Sequence, residues 1–174
     1  MACPTVGLAT TSNLARFIYY KILTLVPVSS ALIAMIRHGD SALWPLLYVG
    51  LCLTHAGIMN AAKCPHCPYY KTGDRTFSCF IWWDTPKLWA DREGPEGAWV
   101  KRYALFGISV LTLFPVYWLG QEWPLLIIYF LGIIGLVMSI FLNECTRCLH
   151  FQCGNCGVTE DVRREYLAMR GGSS

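Results

Sequence analysis

The run WPLLIIYFLGIIGLVMSIFLNECTRC, Trp123 to Cys148, decides how the chain is built. Trp123 to Asn143 carries no charge, and its 21 residues at 1.5 Å each are enough helix to cross about 30 Å of hydrocarbon. Glu144, Cys145 and Cys148 then follow with no linker between. A span of bilayer therefore delivers thiols directly to one membrane surface.

Three further stretches have the same character. Ser41 to Ala62 and Tyr103 to Gly120 are uncharged, and Ile22 to Ile36 is uncharged behind Arg16 and Lys21, whose long stems can carry their charges to the headgroups. Each span must be helical, because lipid offers the backbone no hydrogen-bond partner. The composition agrees: 55% of the 174 residues are hydrophobic and 14% charged, with a mean hydropathy of +0.41. The expected fold is an all-α integral membrane protein in which four transmembrane helices form two antiparallel hairpins. Its parts are 1–62 (N-terminal segment and first hairpin), 63–102 (a Cys- and Trp-rich loop), 103–143 (second hairpin) and 144–174 (a Cys-rich tail).

Four crossings put both termini and the 63–102 loop on one face. That face holds thirteen of the fourteen Lys and Arg residues, Arg37 being the exception, so the positive-inside rule makes it cytoplasmic. Arg37, His38 and Asp40 directly follow the first span with no small-x-small cleavage pattern, so it reads as a retained anchor in the inner, cytoplasmic membrane.

Seven of the nine cysteines share the cytoplasmic face: Cys64, Cys67, Cys79, Cys145, Cys148, Cys153 and Cys156. The tail spacing is C-x2-C-x4-C-x2-C, and the loop carries Cys64-Pro-His-Cys67. A reducing compartment disfavours structural disulfides, so such pairs read as metal ligands or redox thiols. Because Cys64 and Cys145 follow helix C-termini, where a bare thiolate is disfavoured, a bound cation is the simpler reading. All seven are candidate ligands. The compact spacing suits an iron–sulfur cluster, the knuckle-like CPHC and CGNCG suit one or two zinc ions completed by His66 or His150, and free redox thiols are the third reading. In helix count the chain resembles the DsbB-type membrane thiol oxidases, whose reactive pairs lie on the face away from the termini; here they lie on the terminal face.

His55 is the one histidine inside a span. A haem would need a second axial histidine, which no other span supplies, so His55 is the candidate contact for a quinone or for a neighbouring helix. Trp82, Trp83, Trp89 and Trp99 place the loop along the membrane surface, over the thiols. An internal echo links the halves: LTLVPV at 23–28 and LTLFPV at 111–116, WPLL at 44–47 and 123–126, each Trp-Pro followed by a C-x2-C pair.

The sequence has no Ser/His/Asp set, no phosphate loop and no paired intramembrane carboxylates, so catalysis by this chain alone is not expected. The expected function is an iron–sulfur electron-transfer or anchoring subunit of a membrane redox complex. Its partners would be the bilayer, other subunits and a quinone, with no nucleic acid. The alternative is a scaffold stapled by structural zinc.

Overall fold

The structure is a computed structural model that describes residues 8, 11–71, 75–92, 94, 96–149, 151 and 156–171. Cys153 lies outside the described residues, as do Cys3, His150, the Gly73–Asp74 turn, and Glu93 and Pro95 of the DREGPE segment.

The chain is mostly helical, and four helical stretches are long and apolar enough to cross a membrane: Leu14–His38, Leu43–His66, Ala98–Leu119 and Trp123–Arg147. The first contains α1 (Leu14–His38), started by Asn13, whose side chain accepts from the Arg16 N–H at 2.9 Å. Pro27 does not interrupt α1. Its buried stripe, Pro27, Ser30, Ala31, Ala34 and Met35, recurs at helical spacing and is mostly small, which lets neighbouring backbones come close. α2 (Leu43–Ala62) follows after a tight turn.

The third span behaves differently at its proline. α3 (Ala98–Leu113) begins five residues earlier than the uncharged run suggests and stops at Phe114-Pro115, after which α4 (Val116–Leu119) continues the apolar stretch. The break removes the Thr112 carbonyl from the helical ladder, and the Tyr129 hydroxyl on the next helix donates to it at 2.9 Å. Buried polar backbone in a membrane needs such a replacement partner. α5 (Trp123–Asn143) has its proline in the first turn, where no N–H is missed, and α6 (Glu160–Gly171) lies in the tail.

The most extensive helix contact is α1 with α5, and α2 packs on α3, so the closest packing runs between the sequence hairpins. Gly132 explains the closeness on α5, because a Cβ there would lie 3.0 Å from Pro27 Cδ and 3.2 Å from Val26 Cγ1. Tyr19 and Tyr20 of α1 add hydrogen bonds to Ser139 of α5, one to Oγ and one to the carbonyl oxygen. At the other end of α1, Arg37 Nη1 and His38 Nε2 both sit 3.0 Å from Glu122 Oε1, tying the first turn to the second.

The loop is not wholly irregular. β1 (Thr76–Ser78) pairs antiparallel with β2 (Trp83–Pro86), Thr76 opposite Pro86 and Ser78 opposite Trp83, with an extra residue on β2. Asp84 takes φ 53° at that bulge, a region aspartate tolerates better than most residues. This small sheet departs from the all-α expectation.

Candidate metal centre

The two spans that lead into cysteine pairs end in the same way. Lys63 closes α2 at φ −102°, ψ −42°, and Glu144 closes α5 at φ −106°, ψ −43°. Each is followed by one 3₁₀ turn, Cys64–His66 or Cys145–Arg147, and then an extended cysteine: Cys67 at φ −81°, ψ 139° and Cys148 at φ −80°, ψ 130°. The sequence echo thus becomes a repeated thiol turn. The Gly157 N–H donates to the Cys145 carbonyl at 3.0 Å, which brings Cys156 back towards the tail turn.

The rest of the loop wraps the first turn. The Arg92 N–H donates to Pro65 O at 3.0 Å, and His66 Nδ1 lies 3.0 Å from Gly94 O. A carbonyl can only accept, so Nδ1 carries the hydrogen and, in the neutral ring, Nε2 keeps its lone pair. Tyr70 OH donates to Trp89 O, and the Ser12 N–H donates to Ser78 O at 2.7 Å, so the residues before α1 belong to the same cap. Under this cap lies an aromatic core of Tyr20, Tyr69, Tyr70, Phe77 and Phe80 around buried Cys79, with Cys64, Cys67 and Trp82 packed against it.

Within that core the Cys79 sulfur receives a backbone hydrogen bond, the Ile81 N–H donating to Sγ at 3.4 Å. A neutral thiol is a poor acceptor, so this donor favours a thiolate at Cys79. Burial opposes this: it is the main reason the Cys67 thiol is pushed up, reinforced by the thiols of Cys79, Cys148 and Cys64. Cys79 is also raised, first by burial and in part by Glu144.

Glu144 belongs to this pocket, and sequence reasoning missed it. Its side chain is 4% exposed. Oε2 accepts from Tyr69 OH at 3.2 Å, Oε1 lies 3.8 Å from Arg16 Nη1, and Oε1 has no hydrogen bond. Of the two cations in the first turns of α1, half-buried Arg16 faces Glu144, and exposed Lys21 sits 5.2 Å from the Phe17 ring and 5.5 Å from the Trp82 ring.

Among the described residues, no three His, Cys, Asp or Glu side chains converge on one point at metal-ligand distance. Of the seven cysteines, the structure gathers Cys64, Cys67 and Cys79 in the aromatic core, ends the tail turn at Cys148 and folds Cys156 towards Cys145, while Cys153 lies outside the described residues. Of Trp82, Trp83 and Trp89, expected to cover the thiols, Trp82 packs on their core, Trp83 is half-buried on β2 and Trp89 is about half exposed. His55 lies between α2 and α3, its ring 5.5 Å from that of Tyr103 and its Nδ1 without a hydrogen bond. In comparisons with known proteins, no family model, no curated protein and no solved structure matches this chain.

Proposed function

We propose that this chain is a membrane subunit whose loop and tail cysteines hold an iron–sulfur centre at the cytoplasmic headgroup level, passing electrons between a soluble partner and a quinone or neighbouring subunit. One observation carries the reading: Cys64, Cys67 and Cys79 cluster in one buried aromatic core, with the Ile81 N–H on Cys79 Sγ, and the cysteine turn of the tail repeats that of the loop. Burial makes bare thiolates costly there, and a multivalent metal centre removes that cost. N–H groups directed at cysteine sulfurs and a water-poor surround are also the features that set a cluster's potential. His55 Nδ1, on the same α2 that delivers Cys64, is a hydrogen-bonding group that a quinone carbonyl would satisfy.

A second reading has its own support. The Gly157 bond to Cys145 draws the tail into a knuckle-like fold, which suits structural zinc clamping the cap onto two hairpins. Iron, acid-labile sulfide and zinc analysis with a visible spectrum, on protein purified anaerobically, separates them. Iron and sulfide in equal amounts with broad visible absorption are expected; an iron-free, zinc-replete protein would reject electron transfer and leave the staple.

A further inference from the structure

We propose that the tip of the β1–β2 hairpin is a membrane-dipping turn, in which Phe80, Ile81 and Trp82 enter the cytoplasmic leaflet beside α1 and α5. The inference rests on the reading of the four long apolar helices as membrane spans. The composition of the turn comes first. Ser78 lies opposite Trp83, so Cys79, Phe80, Ile81 and Trp82 form the turn itself, and Thr76 to Trp83 carries no charge between Arg75 and Asp84. A hairpin that turns in water favours Gly, Asn or Asp there, for backbone freedom and solvation. This turn is apolar throughout, and Ile81 is 42% exposed.

Depth is the second step. About 20 residues of helix cross ~30 Å of hydrocarbon. Counted from the far-side pair of Arg37 and Glu122, that length ends at Phe17 on α1 and at Leu142 on α5, and the Arg16–Glu144 ion pair sits just outside both ends. The turn reaches inside this boundary. The Phe80 ring lies 4.8 Å from that of Tyr20, and the core they share takes in Leu23 on α1 and Leu136 on α5, each about 9 Å of helix further in. Lys21 carries its ammonium back over Phe17 and to 5.5 Å from the Trp82 ring, which puts Trp82 in the interfacial belt that tryptophan favours and turns Ile81 to the acyl chains. Backbone at this depth needs partners, and the hairpin has them: Ser78 O accepts from the Ser12 N–H, and the Ile81 N–H donates to Cys79 Sγ. The charges sit at the opposite end of the hairpin, where the Lys87 N–H donates to Arg75 O at 3.1 Å.

The full-length protein in phospholipid nanodiscs, with the photoreactive amino acid p-benzoylphenylalanine replacing one residue at a time, tests this by mass spectrometry after irradiation. With the probe in place of Ile81 the chain should gain the mass of one phospholipid, as it should with the probe in place of Leu131, exposed on α5; in place of Leu88, beside Lys87, it should not. Adducts at Leu131 without adducts at Ile81 overturn the proposal. Equal adducts at Ile81 and Leu88 also overturn it, since the hairpin would then lie flat along the surface. No adduct at Leu131 contradicts the spanning reading itself, a different result from either. If the Ile81 probe variant does not fold, Ile81→Asp decides. A charge on an already exposed side chain is tolerated in water but not among acyl chains, so the unfolding midpoint in nanodiscs should fall for Ile81→Asp and hold for Leu88→Asp. A wild-type midpoint for Ile81→Asp overturns the proposal.

Discussion

Gly107 on α3 faces His55 on α2 so closely that a Cβ there would lie 2.6 Å from the imidazole Cε1. Gly107→Ala must displace the ring, and overpacking of this kind costs about 1–3 kcal/mol. His55→Ala in the Gly107→Ala background should recover most of that loss in thermal unfolding, since the clash is with a side chain. A double variant no more stable than Gly107→Ala would place the strain elsewhere. The same contact explains why His55 was legible only as a depth in the sequence: its neighbour is a glycine fifty-two residues later, which no periodicity marks. Glu144 was hidden for a related reason. A carboxylate beside Cys145 reads as a solvated helix end, and only the packing of Tyr69 and Arg16 around it shows that it is enclosed.

The two proline-bearing elements show what an element can and cannot reveal in sequence. LTLVPV and LTLFPV look alike, yet α1 runs through Pro27 while α3 stops before Pro115. A partner distinguishes them: the carbonyl freed at Thr112 has the Tyr129 hydroxyl to accept from. Tyr129→Phe should therefore destabilise the bundle by about 0.5–1.5 kcal/mol, read as a lower unfolding midpoint in detergent. An unchanged midpoint would mean the break is satisfied by other means. The thiol turns were the more legible elements, because C-x2-C at the end of an uncharged span fixes both where the helix stops and where the sulfurs go. The β1–β2 hairpin was not, since strands this short, with a proline and a bulge, carry no alternation to read.

At the scale of the molecule, the four long apolar helices were legible from charge and length alone, whereas the α1–α5 pairing that dominates the packing was not. It depends on Gly132 meeting Pro27, a pairwise fit between distant positions. The far end is held by Glu122 with Arg37 and His38, whose hydrogen bonds keep the Glu122 carboxyl below its ordinary value. A lowered folded-state value means this contribution to stability is present above the ordinary carboxylate range of about 4.3 and is lost as pH falls through the lowered value. Glu122→Gln should flatten the loss of stability on acidification below about pH 4.3, measured as unfolding midpoints across pH; an unaltered slope would remove the clamp from the account. Orientation has its own check, because maleimide added outside intact cells should leave Cys67 and Cys148 unlabelled, and efficient labelling would reverse the topology.

The central claim is that loop and tail cysteines hold one metal centre, and metal content of single variants tests it most directly. Cys67→Ser and Cys148→Ser, purified alongside the wild type under the same anaerobic conditions, should each lose the same metal in the same amount, and each should become more readily cleaved near Arg163 in the tail. A Cys148→Ser protein that keeps the wild-type complement, or a Cys67→Ser protein whose tail stays as protected as before, would show that the loop and the tail do not share a centre.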